Sequence, residues 1–390
     1  MKRSDDAVRS ICGVDGVRCA GIKEGKFGLA LIQAQGEAAA VFTKNIAKAA
    51  PILLMQERME RGALEAILIN SGCANALTGK RGESDAISMG DIAAETLSCN
   101  RDAIGVASTG VIGRYLDLPL IRRQCSLITP RMGSSSETET AAAAAIMTTD
   151  TFQKHALVTR EEFTIGGICK GSGMIAPNMG TMLGFLYTDA DLPSPVLKDT
   201  LKDAVQRSFN RVVVDGDTST NDVTFLTATG SAGKVDRNDF SQALLECCTI
   251  LAKQIAEDGE GASKMIEVIV RNAKTESDAE IVAKTIIGSP LVKTAIYGQD
   301  PNWGRIIAAA GRAGVYFDPD AISCWMGKGQ LKTPVCLKGD MTEDLSAAKR
   351  AMEEKQVVIE LDLHEGSEEA TAWGCDLTEE YVVINGKYTT

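Results

Sequence analysis

The segment from Lys170 to Ala190 constrains this chain more than any other. Its first half cannot be regular structure, because Gly171 and Gly173 free the backbone while Pro177 and Asn178 bias it toward a turn. From Thr181 an apolar run begins, Met182-Leu183-Gly184-Phe185-Leu186-Tyr187, and it closes at Thr188-Asp189-Ala190. That is the pattern of a buried strand, with Gly184 marking a bulge or a close backbone approach. A glycine-flanked loop thus delivers the hydroxyl of Thr181 to the first position of a core strand. Gly180 leaves the carbonyl between them unshielded by any side chain. Thr181 can be simply a β-branched residue in a strand. Alternatively its hydroxyl attacks the Gly180 carbonyl and splits the chain, and Thr181 then works as an amino-terminal nucleophile whose own α-amine is the base.

The scarcest side chain bears on that choice. The 390 residues include two histidines, His155 in a polar stretch and His364 in an acidic one. Neither has a partner at metal-ligand spacing, so both are expected at the surface and no metal is expected. A Ser-His-Asp or Cys-His catalyst would have to recruit one of them. A hydroxyl nucleophile here is better served by an amine base, which suits Thr181. The eleven cysteines are scattered, with no Cys-x-x-Cys pair, and are expected to be small buried hydrophobes rather than disulfides or zinc ligands. A net charge of -11 argues against nucleic acid and against an anionic membrane face. No signal peptide and no run of bilayer length is visible, so the expected location is the cytoplasm.

Strand-like and helix-like segments alternate along the chain, which places it in the mixed α/β class. Residues 28–33 and 38–43 are expected as two strands joined by a turn at Gln35-Gly36. Leu64 to Asn70 forms a strand running into Asn70-Ser71-Gly72-Cys73-Ala74-Asn75, either a functional loop or a plain turn. Ala103 to Ala107 forms another strand, emptying into Ser108-Thr109-Gly110-Val111-Ile112-Gly113. A hydroxyl and a glycine N–H exposed together at a strand end can bind an oxyanion, and an ordinary turn is the competing reading. Helices are expected from Leu118, Ala141 and Pro195, and over Phe240 to Ile255. The tail, including residues 381–384, is expected to be mostly strand. No GxGxxG or Walker A signature, internal repeat or low-complexity linker is present.

Laid side by side, these pieces resemble the ornithine acetyltransferase (glutamate N-acetyltransferase) family. The resemblance rests on the Lys170–Ala190 stretch, Ala49-Ala50-Pro51, Ser108 to Gly113, Met147-Thr148-Thr149-Asp150-Thr151 and Asp258-Gly259-Glu260-Gly261-Ala262. It extends through Asp300-Pro301-Asn302-Trp303-Gly304-Arg305 and the terminal Asn385 to Thr390. These motifs keep one order from about residue 15 to the end. The resemblance implies layered sheets packed between helices, like the N-terminal-nucleophile enzymes. It implies a main domain over residues 1–282 and a smaller α/β domain over 283–390, whose tail returns to the active site. It also implies self-cleavage between Gly180 and Thr181, into an α chain of residues 1–180 and a β chain from 181 that pair as α2β2.

By the same resemblance Thr181 takes the acetyl group from N-acetylornithine as an ester and passes it to glutamate, in the service of arginine synthesis. No cofactor is implied; some members accept acetyl-CoA as a further donor. Thr109 and Gly110 match the oxyanion hole, and Thr148, Lys170, Thr181, Glu260, Asn385 and Thr390 match the substrate-binding positions. Lys170 suits a carboxylate and Glu260 an ammonium. On residues alone, Lys170 is equally a solvated charge, Glu260 a helix end and Thr390 a frayed terminus. Two departures stand out: Gly180 occupies a position where the family more often has alanine, and the segment between Thr148 and Lys170 is a few residues shorter. Two rival functions are a self-processing aminopeptidase or amidase, with water as acceptor, and an uncleaved non-catalytic relic.

Overall fold

Two mixed sheets account for the alternating apolar segments, and one long helix lies between them. The structure, a computed structural model, describes residues 10–176, 182–342 and 345–387. In chain order the strands are β1 (Arg18–Glu24), β2 (Phe27–Phe42), β3 (Ala63–Cys73), β4 (Ile104–Val111), β5 (Lys154–Thr159), β6 (Thr164–Lys170), β7 (Leu183–Asp191) and β8 (Val212–Val213). They continue with β9 (Val223–Lys234), β10 (Met265–Ala273), β11 (Ser323–Met326), β12 (Thr333–Leu337), β13 (Asp340–Met341), β14 (Gln356–Asp362) and β15 (Glu368–Cys375). The first sheet has the order β4-β3-β2-β9-β7-β6-β5, with β1 also paired to β2. The second has the order β13-β12-β11-β14-β10-β15-β8.

Strand β7 lies between β6 and β9 and is buried along nearly its whole length. Covering on both faces is why it reads as a continuous apolar run rather than an alternating one. Phe185 stacks on Phe225 of β9 with centroids 6.1 Å apart. Gly184 marks a close approach: a Cβ there would stand 2.8 Å from Met182 Cε and 3.2 Å from Thr224 Cγ2.

Helix Arg237–Glu257 starts where the Asp236 side chain accepts from the amides of Asn238 and Asp239. Its apolar face, Phe240, Leu244, Cys248, Leu251 and Ile255, is buried against Leu186 and Leu226 of the first sheet. The same cluster takes in Met265, Trp373 and Cys375 of the second sheet, so this helix is the layer between them. Each such large side chain contributes about 1.5–3 kcal/mol by leaving water. Helix Glu276–Ile287, capped by Thr275, buries Val282 and Ile286 against Ile266, Val268 and Ala372 of the second sheet. Strands β8 and β10 belong to that sheet, so it draws residues from the amino-terminal side of position 283.

Three local expectations differ from what forms. Residues 28–33 and 38–42 fall in one sixteen-residue strand, which ends before Thr43, with a register shift between Gln33 and Gly36 where a turn was expected. Gly36 is there because a Cβ would lie 1.8 Å from the Ala228 carbonyl oxygen. Residues 381–384 belong to the helix Glu379–Lys387. The Thr378 hydroxyl accepts from the Glu380 amide and donates to the Gly261 carbonyl, fixing that helix's start against the loop after Asp258. His155 is not a surface residue. Its Nδ1 lies 2.9 Å from Glu139 Oε1 and its side chain is 13% exposed, because a buried carboxylate needs nearby donors.

Candidate active site

The site forms where strand ends of the first sheet meet three loops and the last helix. Strand β4 ends at Thr109-Gly110-Val111, β6 ends at Lys170, and β7 begins at Leu183 directly opposite Lys170. The loop 258–262 follows the long helix, and helix Glu379–Lys387 brings Asn385 to it. Together with residues 219–222 these enclose a cavity of about 280 Å³. Thr109, Gly110, Thr148, Lys170, Glu260 and Asn385 all line it. Gly180, Thr181 and Thr390 lie outside the described residues, although Met182 and Leu183, which follow Thr181, are part of the wall.

Gly110 has φ of 128°, and a Cβ would stand 2.4 Å from the Gly72 carbonyl carbon. That conformation belongs to glycine, so the strand can turn its amide only with this residue. Lys170 Nζ donates to Thr109 Oγ1 at 3.3 Å, and both residues are less than a tenth exposed. With its oxygen accepting from an ammonium, the Thr109 hydroxyl keeps its own proton for a developing oxyanion. Asn221 Nδ2 donates to the carbonyls of Ala74 at 2.6 Å and Ser108 at 2.8 Å, binding the 215–222 loop to that strand end.

Opposite charge also lines the cavity, at Glu260. The Glu260 amide donates to the Ser172 carbonyl at 2.9 Å, and Asn385 Nδ2 donates to Glu260 Oε2 at 2.8 Å. Gly173 permits this placement: a Cβ on it would lie 2.3 Å from the Glu260 carboxyl carbon. The segment ahead of residue 177 is also held. Asp215 accepts from the Met174 and Ile175 amides at 2.6 and 2.8 Å, and Thr218 Oγ1 donates to the Ala176 carbonyl at 2.9 Å. Burial nevertheless raises the Asp215 carboxyl above its ordinary range, outweighing those amide donors.

Behind the cavity lies a cluster that the motifs only partly signalled. Lys154 Nζ, with no exposure, contacts Asp150 Oδ1 at 2.8 Å and Asp258 Oδ2 at 2.5 Å. Asp150 also accepts from the amides of Thr148 at 3.0 Å and Gly171 at 2.7 Å. Asp258 accepts from the Thr151 amide and hydroxyl. One ammonium therefore ties together the loops that carry Thr148, Lys170 and Glu260. Burial alone would push the Asp150 carboxyl up, yet Lys170 and Lys154 outweigh it and hold it down at about 2. The same carboxylates raise Lys154 despite its burial.

Asp150 and Asp258 sit inside matched motifs, but nothing in a single sequence identifies Lys154 as their counter-ion. Asn221 and Asp222 were likewise hidden in what reads as a polar loop. Among the described residues, no group of three or more His, Cys, Asp or Glu could hold a metal ion. All eleven cysteines are free, and ten are buried. Among the described residues, no helix is long and apolar enough to cross a membrane.

The sequence pattern of the ArgJ family matches residues 14–390. A glutamate N-acetyltransferase of Methanosarcina mazei is 49% identical over 388 residues, spanning 97% of this chain and 98% of its own. An arginine biosynthesis bifunctional protein ArgJ of Symbiobacterium thermophilum is 47% identical over 391 residues, 95% of each chain. Among solved structures, an arginine biosynthesis bifunctional protein argJ from Bacillus halodurans is 42% identical, with a TM-score of 0.49. The match covers 51% of this chain and 96% of that one.

Proposed function

The chain belongs to the ArgJ family, and from that premise we propose that it transfers the acetyl group of N-acetylornithine to glutamate through an ester on Thr181. It is a glutamate N-acetyltransferase, an acyltransferase of arginine biosynthesis. The observation that carries the mechanism is the single cavity in which Thr109, Gly110, Lys170, Glu260 and Asn385 meet the beginning of β7. Self-cleavage adds water across the Gly180–Thr181 peptide bond and leaves an α-amine on Thr181. An ordinary α-amine titrates near about 8, so it can take the hydroxyl proton close to neutral pH.

In the first half-reaction Thr181 Oγ attacks the acetyl carbonyl carbon and its proton passes to the α-amine. The oxygen of the tetrahedral intermediate is met by the Thr109 hydroxyl and the Gly110 N–H, with the Lys170 ammonium close behind. The C–N bond then breaks, and the departing amine of ornithine takes the proton. In the second half-reaction the glutamate α-amine attacks the acetyl ester and Oγ leaves with a proton. Lys170 and Glu260, both on the cavity wall, supply the opposite charges that an amino-acid substrate with a carboxylate and a second polar end requires.

The reaction itself needs no cofactor, and acetyl-CoA is a second acetyl donor to test beside N-acetylornithine. An α2β2 assembly in the cytoplasm completes the proposal. Intact-mass measurement before and after N-acetylornithine tests the mechanism. It should find chains 1–180 and 181–390, with one acetyl adduct on the second. Acetyl transfer by a chain that stays in one piece would overturn it. Free acetate in place of acetylglutamate would instead indicate an amidase.

A further inference from the structure

Thr109 and Gly110 sit where regular pairing gives out. Strand β4 lies at the edge of the first sheet and has a strand neighbour, β3, on one side only. That ladder runs regularly to Gly72 beside Gly110 and shifts register at Cys73. Lys170 reaches the Thr109 hydroxyl and not its backbone. Something else must therefore fix how this strand end presents its donors. Ser108, the residue before them, is held twice. Its hydroxyl donates to Asn70 Oδ1 at 2.5 Å, and its carbonyl accepts from Asn221 Nδ2 at 2.8 Å. The same Nδ2 donates to the Ala74 carbonyl at 2.6 Å, so one side-chain amide bridges the ends of β3 and β4. The Thr220 hydroxyl donates to Asn221 Oδ1 at 2.6 Å, which settles the amide with its nitrogen toward the carbonyls. Asn70, Ser108 and Asn221 are all buried.

The loop that carries Asn221 is anchored in turn by residues 43–49. The Thr43 amide donates to the Asp222 carbonyl and the Ala49 amide to the Thr220 carbonyl, both at 2.9 Å. Thr43 Oγ1 donates to the Ser219 carbonyl at 2.9 Å and Asn45 Nδ2 to the Thr218 carbonyl at 2.8 Å. Ala49-Ala50-Pro51 and Asn70 to Asn75, two motifs without a part in the reaction, thus both lead to Ser108. We propose that Asn221 and Asn70 are positioning residues that hold Ser108, and through it the Thr109 hydroxyl and the Gly110 N–H, in the geometry that meets the oxyanion. This rests on the reading of Thr109 and Gly110 as the oxyanion donors. Asn221 lies on the cavity wall, but its N–H donors are engaged by backbone carbonyls, so it acts through Ser108 and not on substrate.

The test measures acetyl transfer per folded, cleaved chain in wild type, Asn221→Ala and Ser108→Ala, together with the infrared band of an isotope-labelled acetyl ester formed from N-acetylornithine. Hydrogen bonds to the ester carbonyl lower that band, so it reports the donors directly. In Asn221→Ala, kcat should fall about 10²-fold, as when an oxyanion donor is lost, and the band should move to higher frequency. KM should change less than about threefold, because the interaction lost belongs to the transition state. Ser108→Ala, which removes only the bond to Asn70, should lower kcat about tenfold with a smaller shift of the band. A role in folding alone would lower stability and leave kcat per folded chain and the band in place, and that result overturns the proposal. A fall in kcat with an unmoved band, or a rise in KM with kcat unchanged, also overturns it. Should Asn221→Ala stay uncut or fail to fold, Ser108→Ala decides by the same readings. Failure of the underlying reading would look different: Thr109→Ala would itself leave kcat and the band unchanged.

Discussion

Two buried charge clusters border the cavity, and they are built in opposite ways. Around Lys154 each carboxylate meets the ammonium and accepts from backbone amides as well, so nothing is left over. At Asp222 one oxygen has no partner among the described residues. The first arrangement has the properties of a scaffold. Taking charges out of water is tolerable only when their bonds are saturated, and a saturated cluster holds its loops in one geometry. The second is left open on the cavity wall, next to the beginning of β7.

The largest expected effect is at the nucleophile. Thr181→Ala should abolish both chain splitting and acetyl transfer, giving a single band on a denaturing gel and no adduct by mass. Next comes the scaffold. Lys154→Met leaves two buried carboxylates without their cation, and denaturant unfolding should show a loss of about 3–5 kcal/mol. A much smaller loss would break the contrast, since the cluster would then not be a unit. Gly110→Ala forces a Cβ into the Gly72 backbone, and kcat should fall by about 10²–10³ through displacement of one oxyanion donor.

The scaffold should also respond to acid. A carboxyl held at about 2 contributes stability that is full above its unfolded value, near 3.8, and lost as pH falls toward 2. An unfolding series from pH 4 to 2 should therefore show a decline of about 2 kcal/mol from Asp150, absent in Asp150→Asn. The smallest effect is expected at the orphan. In the uncleaved Thr181→Ala chain, Asp222→Asn should change stability by less than about 1 kcal/mol, since it breaks no paired charge. A loss as large as that of Lys154→Met would mean that Asp222 is scaffold too.

Much of the site was legible because local chemistry leaves local traces. The strand from Leu183 shows as an apolar run because both faces are covered, and the Thr109-Gly110 end of β4 shows as a hydroxyl beside a glycine at a strand end. The misreadings share one physical cause. The Gln35-Gly36 pair reads as a turn, but it is a bulge required by the approach of β9, a strand nearly two hundred residues later in the chain. Residues 381–384 are β-branched and aromatic, yet they are helical because Thr378 docks on Gly261. His155 sits in a polar stretch and is nonetheless drawn inward by Glu139.

Residue order alone determined the mixed α/β class, the strand behind Thr181, the hydroxyl–glycine pair at 109–110 and the family to which the chain is similar. Those follow from periodicity, backbone preference and side-chain type, which act over a few residues at a time. Only the tertiary structure decided that Lys154 joins three loops, that Lys170 lies against Thr109, that Asn385 reaches Glu260 and that Asp222 is left without a partner. Each of those depends on which distant segments share a buried volume. In that volume the cost of an unpaired charge is set by neighbours a hundred or more residues away along the chain.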